Sequence, residues 1–297
     1  MQGSEIYSAV KHCCDQKQGI VSQCFKSDIL RNMPRGYFDN FLLKVNGKIG
    51  GQNTAFDRSV IGSLPFDPCK TMLVGIDVNH PGETERVNSS VAAAVGSYDA
   101  SFAVYNASIR VQRKDREETV IQLDEMMAEL LVQYQKVNGH FPDNVVVFRD
   151  GVSEGQFPAI QEVEIAAIRR ALKDIVGSSA KLTHIVVQKR HHTRFALTEQ
   201  NQMGRKPTYN VASGTVVDKG IVDPHFKVFY LNSHFSPLVS QPFIVLQLTI
   251  TQLFPHFHRE HLVLRSTSFW RTTSPCRRTM SRNCVSTAAT TTSAPEM

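Results

Sequence analysis

Three acidic positions and two sets of cations carry the chemistry open to this sequence. Asp77 stands at the end of the apolar run "TMLVGIDV" (71–78), and Asp150 closes "VVVFRD" (145–150). Short β-branched runs bounded by glycine read as buried strands. In open α/β sheets, ligands gather outside the carboxyl ends of such strands. If both strands are central and parallel, the two carboxylates emerge at one edge. Oxygen donors of this kind suit a hard divalent cation, and Mg²⁺ usually keeps waters plus one or two carboxylates. Two such ions about 3.5–4 Å apart activate a water and stabilise the leaving oxygen in phosphodiester cleavage. Glu117 and Glu118, at the start of the next helix, can swing toward the same edge. The same carboxylates would serve equally as helix caps. Arg149, Gly151, Ser153 and Glu154 leave the apolar run together with Asp150.

The first set of cations is helical. Lys44 and Lys48 are four residues apart, as are Tyr7 and Lys11, so each pair shares one helix face. With Gln23 between them in sequence they could hold a phosphate by charge-assisted bonds, or form a solvated lysine face. The second set is "QKRHHTR" (188–194), with Lys189, Arg190, His191, His192 and Arg194 at a strand end. That density suits a phosphate backbone, or an exposed strand edge protected from aggregation.

The elements that must position these groups follow from periodicity. A short helix is expected over 5–17. A stronger one begins near Tyr37, with Phe38, Phe41, Leu42, Val45 and Ile49 on one face, and stops at Gly50-Gly51. A polar stretch, 50–70, links to three strands at 71–78, 91–99 and 101–112. A helix with Val120, Leu123, Met126, Met127, Leu130, Leu131 and Tyr134 inward comes next. The strand 144–150, a second helix through Leu172 and Ile175, and strands within 181–194 and 225–234 complete the pattern. The result is a mixed α/β sheet whose order matches a ribonuclease H-type layout, while periodicity alone leaves several other α/β folds open.

Composition narrows the classes. The chain has 297 residues, enough for one large or two medium domains. No window is apolar enough for a membrane span, and the polar N-terminus lacks the apolar core of a signal peptide. The six cysteines show no C-x-x-C spacing, so neither a zinc site nor a disulfide framework is supported. A reducing cytoplasmic or nuclear setting is expected. Of the net charge of +6, six arginines and two glutamates after Leu238 supply +4. Local clusters, rather than overall charge, therefore carry any argument for an anionic partner.

The motifs together resemble the Argonaute family from about Tyr7 to Leu238. "YSAVK", "SQC" and "LKVNGKIGG" look like the second half of the MID domain. "GIDVNHP", "AAAVGSYDA", "RDGVSEGQF", "VVQKRHHTR" and "FYLNSH" look like the PIWI domain. The resemblance implies a partial, Rossmann-like MID segment (1–67), a ribonuclease H-like PIWI domain (68–238) and a largely irregular non-family tail (239–297). It implies a small guide RNA, a target RNA and silencing-complex proteins as partners. Tyr7, Lys11, Gln23, Lys44 and Lys48 would grip the guide's 5′ phosphate. Lys189, Arg190, His192 and Arg194 would line its backbone. Asp77, Glu118 and Asp150 would be catalytic, with Asp77 and Asp150 holding two Mg²⁺. Glu118 is matched by counting back from "AELLVQYQ", with Glu117 as the fallback.

Departures from the family pattern matter too. The N and PAZ domains and the first half of MID are not represented, so the chain is expected to begin with a domain that cannot close its own core. The family's fourth metal-site residue, a histidine, has no match. His256, His258 and His261 lie in the non-family tail and are read as accidental. In a shifted reading frame, "FWRTT" can encode Leu-X-Asp-Asp, which points to a frame-shifted origin for the tail. Three readings follow: a ribonuclease with an incomplete site, a guide-RNA-binding silencing protein that does not cut, and a truncated, non-functional product.

Overall fold

In the computed structural model the described residues run from 3 to 252, except 35, 54, 57, 83–88, 113–116, 178–179, 201–208, 210, 224–225 and 234–244. The centre is an eight-stranded mixed sheet in the order β3-β2-β1-β4-β5-β8-β7-β6. Its strands are β1 (Thr71–Asn79), β2 (Val91–Ser97), β3 (Tyr105–Val111), β4 (Asn144–Asp150), β5 (Lys181–Gln188), β6 (Val216–Val217), β7 (Lys227–Asn232) and β8 (Val245–Gln252). β1, β2 and β3 form antiparallel pairs, whereas β1–β4 and β4–β5 are parallel. A hairpin pair followed by crossovers is what the sequence order requires, because parallel neighbours need a long connection.

Those crossovers are helical. Helix α4 (Leu123–Asn138) joins β3 to β4 and buries Leu123, Met126, Met127, Leu130, Leu131 and Tyr134. It stops at Gly139, whose φ of 77° is left-handed, the conformation glycine adopts without a Cβ penalty. A second helical stretch runs from α5 (Phe157–Ala159) through a π-helical turn (Ile160–Ile165) and α6 (Ala166–Ala171) to another π-helical turn (Leu172–Val176). Both helices cover one sheet face, where Met72, Val74, Ile76, Val145 and Val147 meet Met127, Leu131, Ile165 and Ile168. A smaller cluster on the opposite face joins Val146, Ile185, Phe229 and Leu248.

Two elements differ from those expected, each for a physical reason. The third strand starts at Tyr105 rather than at residue 101. Asp99 accepts hydrogen bonds from the backbone N–H groups of Ser101, Ala103 and Val104 and from the Ser101 hydroxyl. These bonds fold the chain into a turn. The second difference is β8, which lies inside the segment read as an irregular non-family tail. It pairs antiparallel with β5 on one side and β7 on the other. A β-rich run beside the open edge of β5 satisfies its backbone groups there. The remainder of that tail, with His256, His258 and His261, lies outside the described residues.

Before the sheet come α1 (Gly3–Lys11), which continues as a π-helical turn over His12–Gln18, then α2 (Tyr37–Lys48) and the short α3 (Arg58–Ile61). None of the α2 residues is buried, and Phe38, Leu42 and Ile49 are about half exposed or more. The expected linker at 50–70 contains α3 and a single 3-10 turn at Pro68–Lys70, where the Asp67 side chain accepts from the Cys69 N–H.

Candidate functional site

Alternation along the strands decides which side chains meet. In β1, Met72, Val74, Ile76 and Val78 are buried while Asp77 is exposed. In β4, Val145, Val147 and Arg149 share one face, and Val146, Phe148 and Asp150 share the other. The parallel register sets Ile76 opposite Arg149. The next residues, Asp77 and Asp150, therefore sit side by side at the carboxyl ends of adjacent strands, on the face away from the helices. They open into a cleft of about 670 Å³ that is also lined by His80, Glu118, Gly151, Ser153, Lys189 and Arg190.

Glu118 belongs to the segment between β3 and α4, and it reaches the cleft where Glu117 does not. One carboxylate oxygen lies 3.0 Å from Arg149 Nη2, and the other lies 2.8 Å from His80 Nε2. His80 Nδ1 is 2.8 Å from the Ser90 hydroxyl, which fixes the ring plane. Asp150 is engaged by Lys189, whose ammonium donates to its Oδ2.

Arg149 points the other way. It is fully buried, because it shares the parity of Val145 and Val147. Its guanidinium meets the equally buried Glu164 at 3.0 Å through Nε. It also donates to the carbonyls of Asp150 and Glu118, at 2.6 and 2.5 Å. Burial raises the Glu164 carboxyl above the usual range, against the pull of Arg149. His184, on β5, is pushed down to about 3 by burial and by the nearby Arg149 charge. Arg149, Glu164, His80 and Ser90 are functional candidates that sequence reasoning missed. Only Arg149 had a readable signal, its parity within the strand.

The basic run after β5 is an extended loop, since the strand ends at Gln188 and not at residue 194. Lys189, Arg190, His192 and Arg194 are all exposed there. Arg194 donates to the carbonyls of His191 and Thr193 at 2.8 and 2.7 Å. Lys189 and Arg190 reach the cleft, and His192 and Arg194 lie beyond its lining.

Two of the N-terminal cations, Lys11 and Lys48, meet at one loop. Lys11 Nζ donates to both the carbonyl and the hydroxyl of Ser22 at 2.8 Å, and Lys48 Nζ donates to the same carbonyl at 2.8 Å. Asp15 completes the group, 3.3 Å from Lys11 Nζ and accepting from the Ser22 hydroxyl at 3.1 Å. Burial and the neighbouring Lys11 charge lower the Lys48 ammonium. Burial also pulls Lys11 down, but the Asp15 carboxylate more than offsets this, and the net shift is upward. Tyr7 is exposed one turn before Lys11, and Lys44 is exposed one turn before Lys48. Gln23 turns its amide to the Cys24 carbonyl at 2.9 Å. Asp15 and Ser22 were not anticipated, although the spacing of Lys11 and Asp15 could have found the first.

The donor chemistry fits a divalent cation in part. Asp77 and Asp150 offer hard oxygens on neighbouring strands, and Mg²⁺ needs only one or two such ligands beside water. Among the described residues, however, no three His, Cys, Asp or Glu side chains converge closely enough to hold a metal together. Arg149 and His80 engage Glu118, and Lys189 engages Asp150.

Sheet order, crossovers and carboxylates at a strand edge define a ribonuclease H-like α/β fold. The Piwi domain family matches residues 2–239, and the chain belongs to the Argonaute/Piwi family. It is 41% identical over 234 residues to protein argonaute 3 of Oryza sativa subsp. japonica, a match covering 77% of this chain and 20% of that protein. To the putative protein tag-76 of Caenorhabditis elegans it is 40% identical over 240 residues, covering 79% and 23%. The chain thus spans about a fifth of the length of these curated relatives. Among solved structures, Kluyveromyces polysporus Argonaute with a guide RNA superposes with a TM-score of 0.77 at 26% identity, covering 89% of this chain and 31% of that one. Drosophila Piwi, at 24% identity and a TM-score of 0.67, shares the fold, covering 88% and 33%. Among the described residues no helix is long and apolar enough to cross a membrane.

Proposed function

We propose that this chain is an RNA-silencing protein that binds a small guide RNA and its paired target RNA. Its cleft is a ribonuclease H-type endonuclease site that is incomplete. The observation that carries this reading is the pairing of Asp77 and Asp150 at adjacent parallel strand ends, with Glu118, Lys189 and Arg190 in one cleft. Mg²⁺, when bound, would activate a water and neutralise charge on the scissile phosphate. Asp77 and Asp150 would hold it, and Glu118 would supply a third carboxylate from the segment before α4. Lys189, Arg190, His192 and Arg194 would follow the guide backbone, and Asp150 would be freed as Lys189 turns to RNA phosphate.

The N-terminal cluster would take the guide's 5′ phosphate. A dianionic group can replace Asp15 and the Ser22 carbonyl as the partner of Lys11 and Lys48, with Tyr7, Gln23 and Lys44 closing around it. Residues 1–67 would then act as a partial MID segment and 68–238 as the PIWI domain. A cytoplasmic or nuclear site of action and silencing-complex protein partners belong to the same proposal.

A second reading is guide binding without cutting. Its support is that Glu118 and Asp150 are already engaged by cationic side chains. Mg²⁺-dependent cleavage of a complementary RNA separates the two. Cleavage abolished by Asp150→Ala is the expected result for the first. Guide binding with no cleavage in either protein would establish the second.

A further inference from the structure

The cleft carboxylate with the fewest backbone constraints is Glu118, which comes from a segment without regular structure. Something must nevertheless hold it at the strand edge. We infer that Glu164, on the second helical stretch, is the positioning residue that does so, acting through Arg149 and through the backbone at Val120. This inference rests on the proposed role of the cleft.

The connections are specific. Both Glu164 oxygens face Arg149 Nε, at 3.0 and 3.3 Å, and one of them also accepts from Nη2 at 3.2 Å. That same oxygen accepts the Val120 N–H at 2.9 Å. Arg149 Nη2 passes the link to the Glu118 carbonyl and carboxylate, while Nη1 holds the Asp150 carbonyl. One buried carboxylate thus restrains the segment carrying Glu118 from two sides and steadies the end of the strand carrying Asp150. Glu164 itself stands in the π-helical turn Ile160–Ile165, a form often found at functional sites.

Energetics argue that stability alone does not explain this arrangement. A buried ion pair gains little over well-packed apolar residues, because desolvation of both charges offsets their attraction. Removing one partner is a different matter, since the other is left buried and uncompensated. Without the Glu164 charge, Arg149 keeps Glu118 as its carboxylate partner while the Val120 N–H loses its acceptor, and the segment carrying Glu118 shifts from the edge.

The test uses the RNA-free full chain and the variants Glu164→Gln, Glu164→Asp and Glu118→Gln. Amide exchange is followed over 118–121 and, as a reference, over β1 and β4. Glu164→Gln is expected to speed exchange at 118–121 at least tenfold with the two strands unchanged, and Glu164→Asp to fall between it and the parent chain. Mn²⁺ titration is expected to show about fivefold weaker binding for Glu164→Gln and for Glu118→Gln, with no further loss in the double variant. Unchanged exchange at 118–121 overturns the inference. So does equal acceleration in β1 and β4 with both Glu164 variants, which would make Glu164 a core residue only. If the parent chain binds no Mn²⁺, the metal reading of the cleft fails, and the exchange measurement still decides the role of Glu164.

Discussion

Helices α2 and α4 carry apolar side chains at the same helical spacing, yet they end in opposite situations. Six residues of α4 are buried against the sheet, whereas none of α2 is. Amphipathic spacing states which face of a helix is apolar; it does not state what covers that face. The central domain draws its order from a packed core, and its cleft inherits that rigidity. The N-terminal region holds Lys11 and Lys48 in place by polar ties to one loop carbonyl at Ser22. The molecule therefore has a scaffolded site and a locally tied one.

Unfolding experiments give the widest contrast. Leu131→Ala in α4 should cost about 2–5 kcal/mol in urea titrations, because it leaves a cavity in the main core. Leu42→Ala in α2 should stay within about 0.5 kcal/mol, and equal losses would break the comparison. Acid should act on the packed region through His184. The imidazole of His184 sits well below its unfolded value, so the unfolded chain binds the extra proton as pH drops under about 6.5. Stability is then complete above that pH and falls by roughly 1.4 kcal/mol per unit down to about pH 3. A flat profile between pH 6.5 and 4 would contradict the buried, neutral histidine.

Smaller effects sharpen the view of the locally tied site. Lys48→Ala should weaken a 5′-phosphorylated guide by roughly 1.5–3 kcal/mol, the range for hydrogen bonds to charged groups. A 5′-hydroxyl guide should be unaffected in the same anisotropy assay, and equal losses would remove the phosphate from the argument. Lys189→Ala should produce the smallest change, a modest loss for all RNA sequences with the salt slope reduced by about 1. An unchanged slope would take Lys189 off the RNA path.

Much of this was legible in the sequence because sheets obey simple parity. Two β-rich runs ending in Asp77 and Asp150 bring both carboxylates to one edge once the strands pair in parallel. The apolar stripe from Val120 to Tyr134, all but its first residue in α4, is buried throughout. The web around Glu164 was hidden. Its members, His80, Ser90, Glu118, Val120, Arg149 and Glu164, come from four separate stretches, and no local spacing links them. Strand β8 was overlooked because an apolar run earns its place only from the neighbours it meets, and β5 and β7 are distant in sequence.

That placement of β8 has a consequence for how the chain acquires its shape. β5 is finished by Gln188, but its neighbour in the sheet starts at Val245, and β7 reaches the sheet only through that neighbour. During synthesis the first five strands can assemble while β6 and β7 have emerged with nowhere to attach. Closing so long a loop is slow, and the waiting edge of β5 is a template for foreign strands. The last strand to arrive, β8, lies inside the sheet and joins the first five strands to the β6–β7 pair.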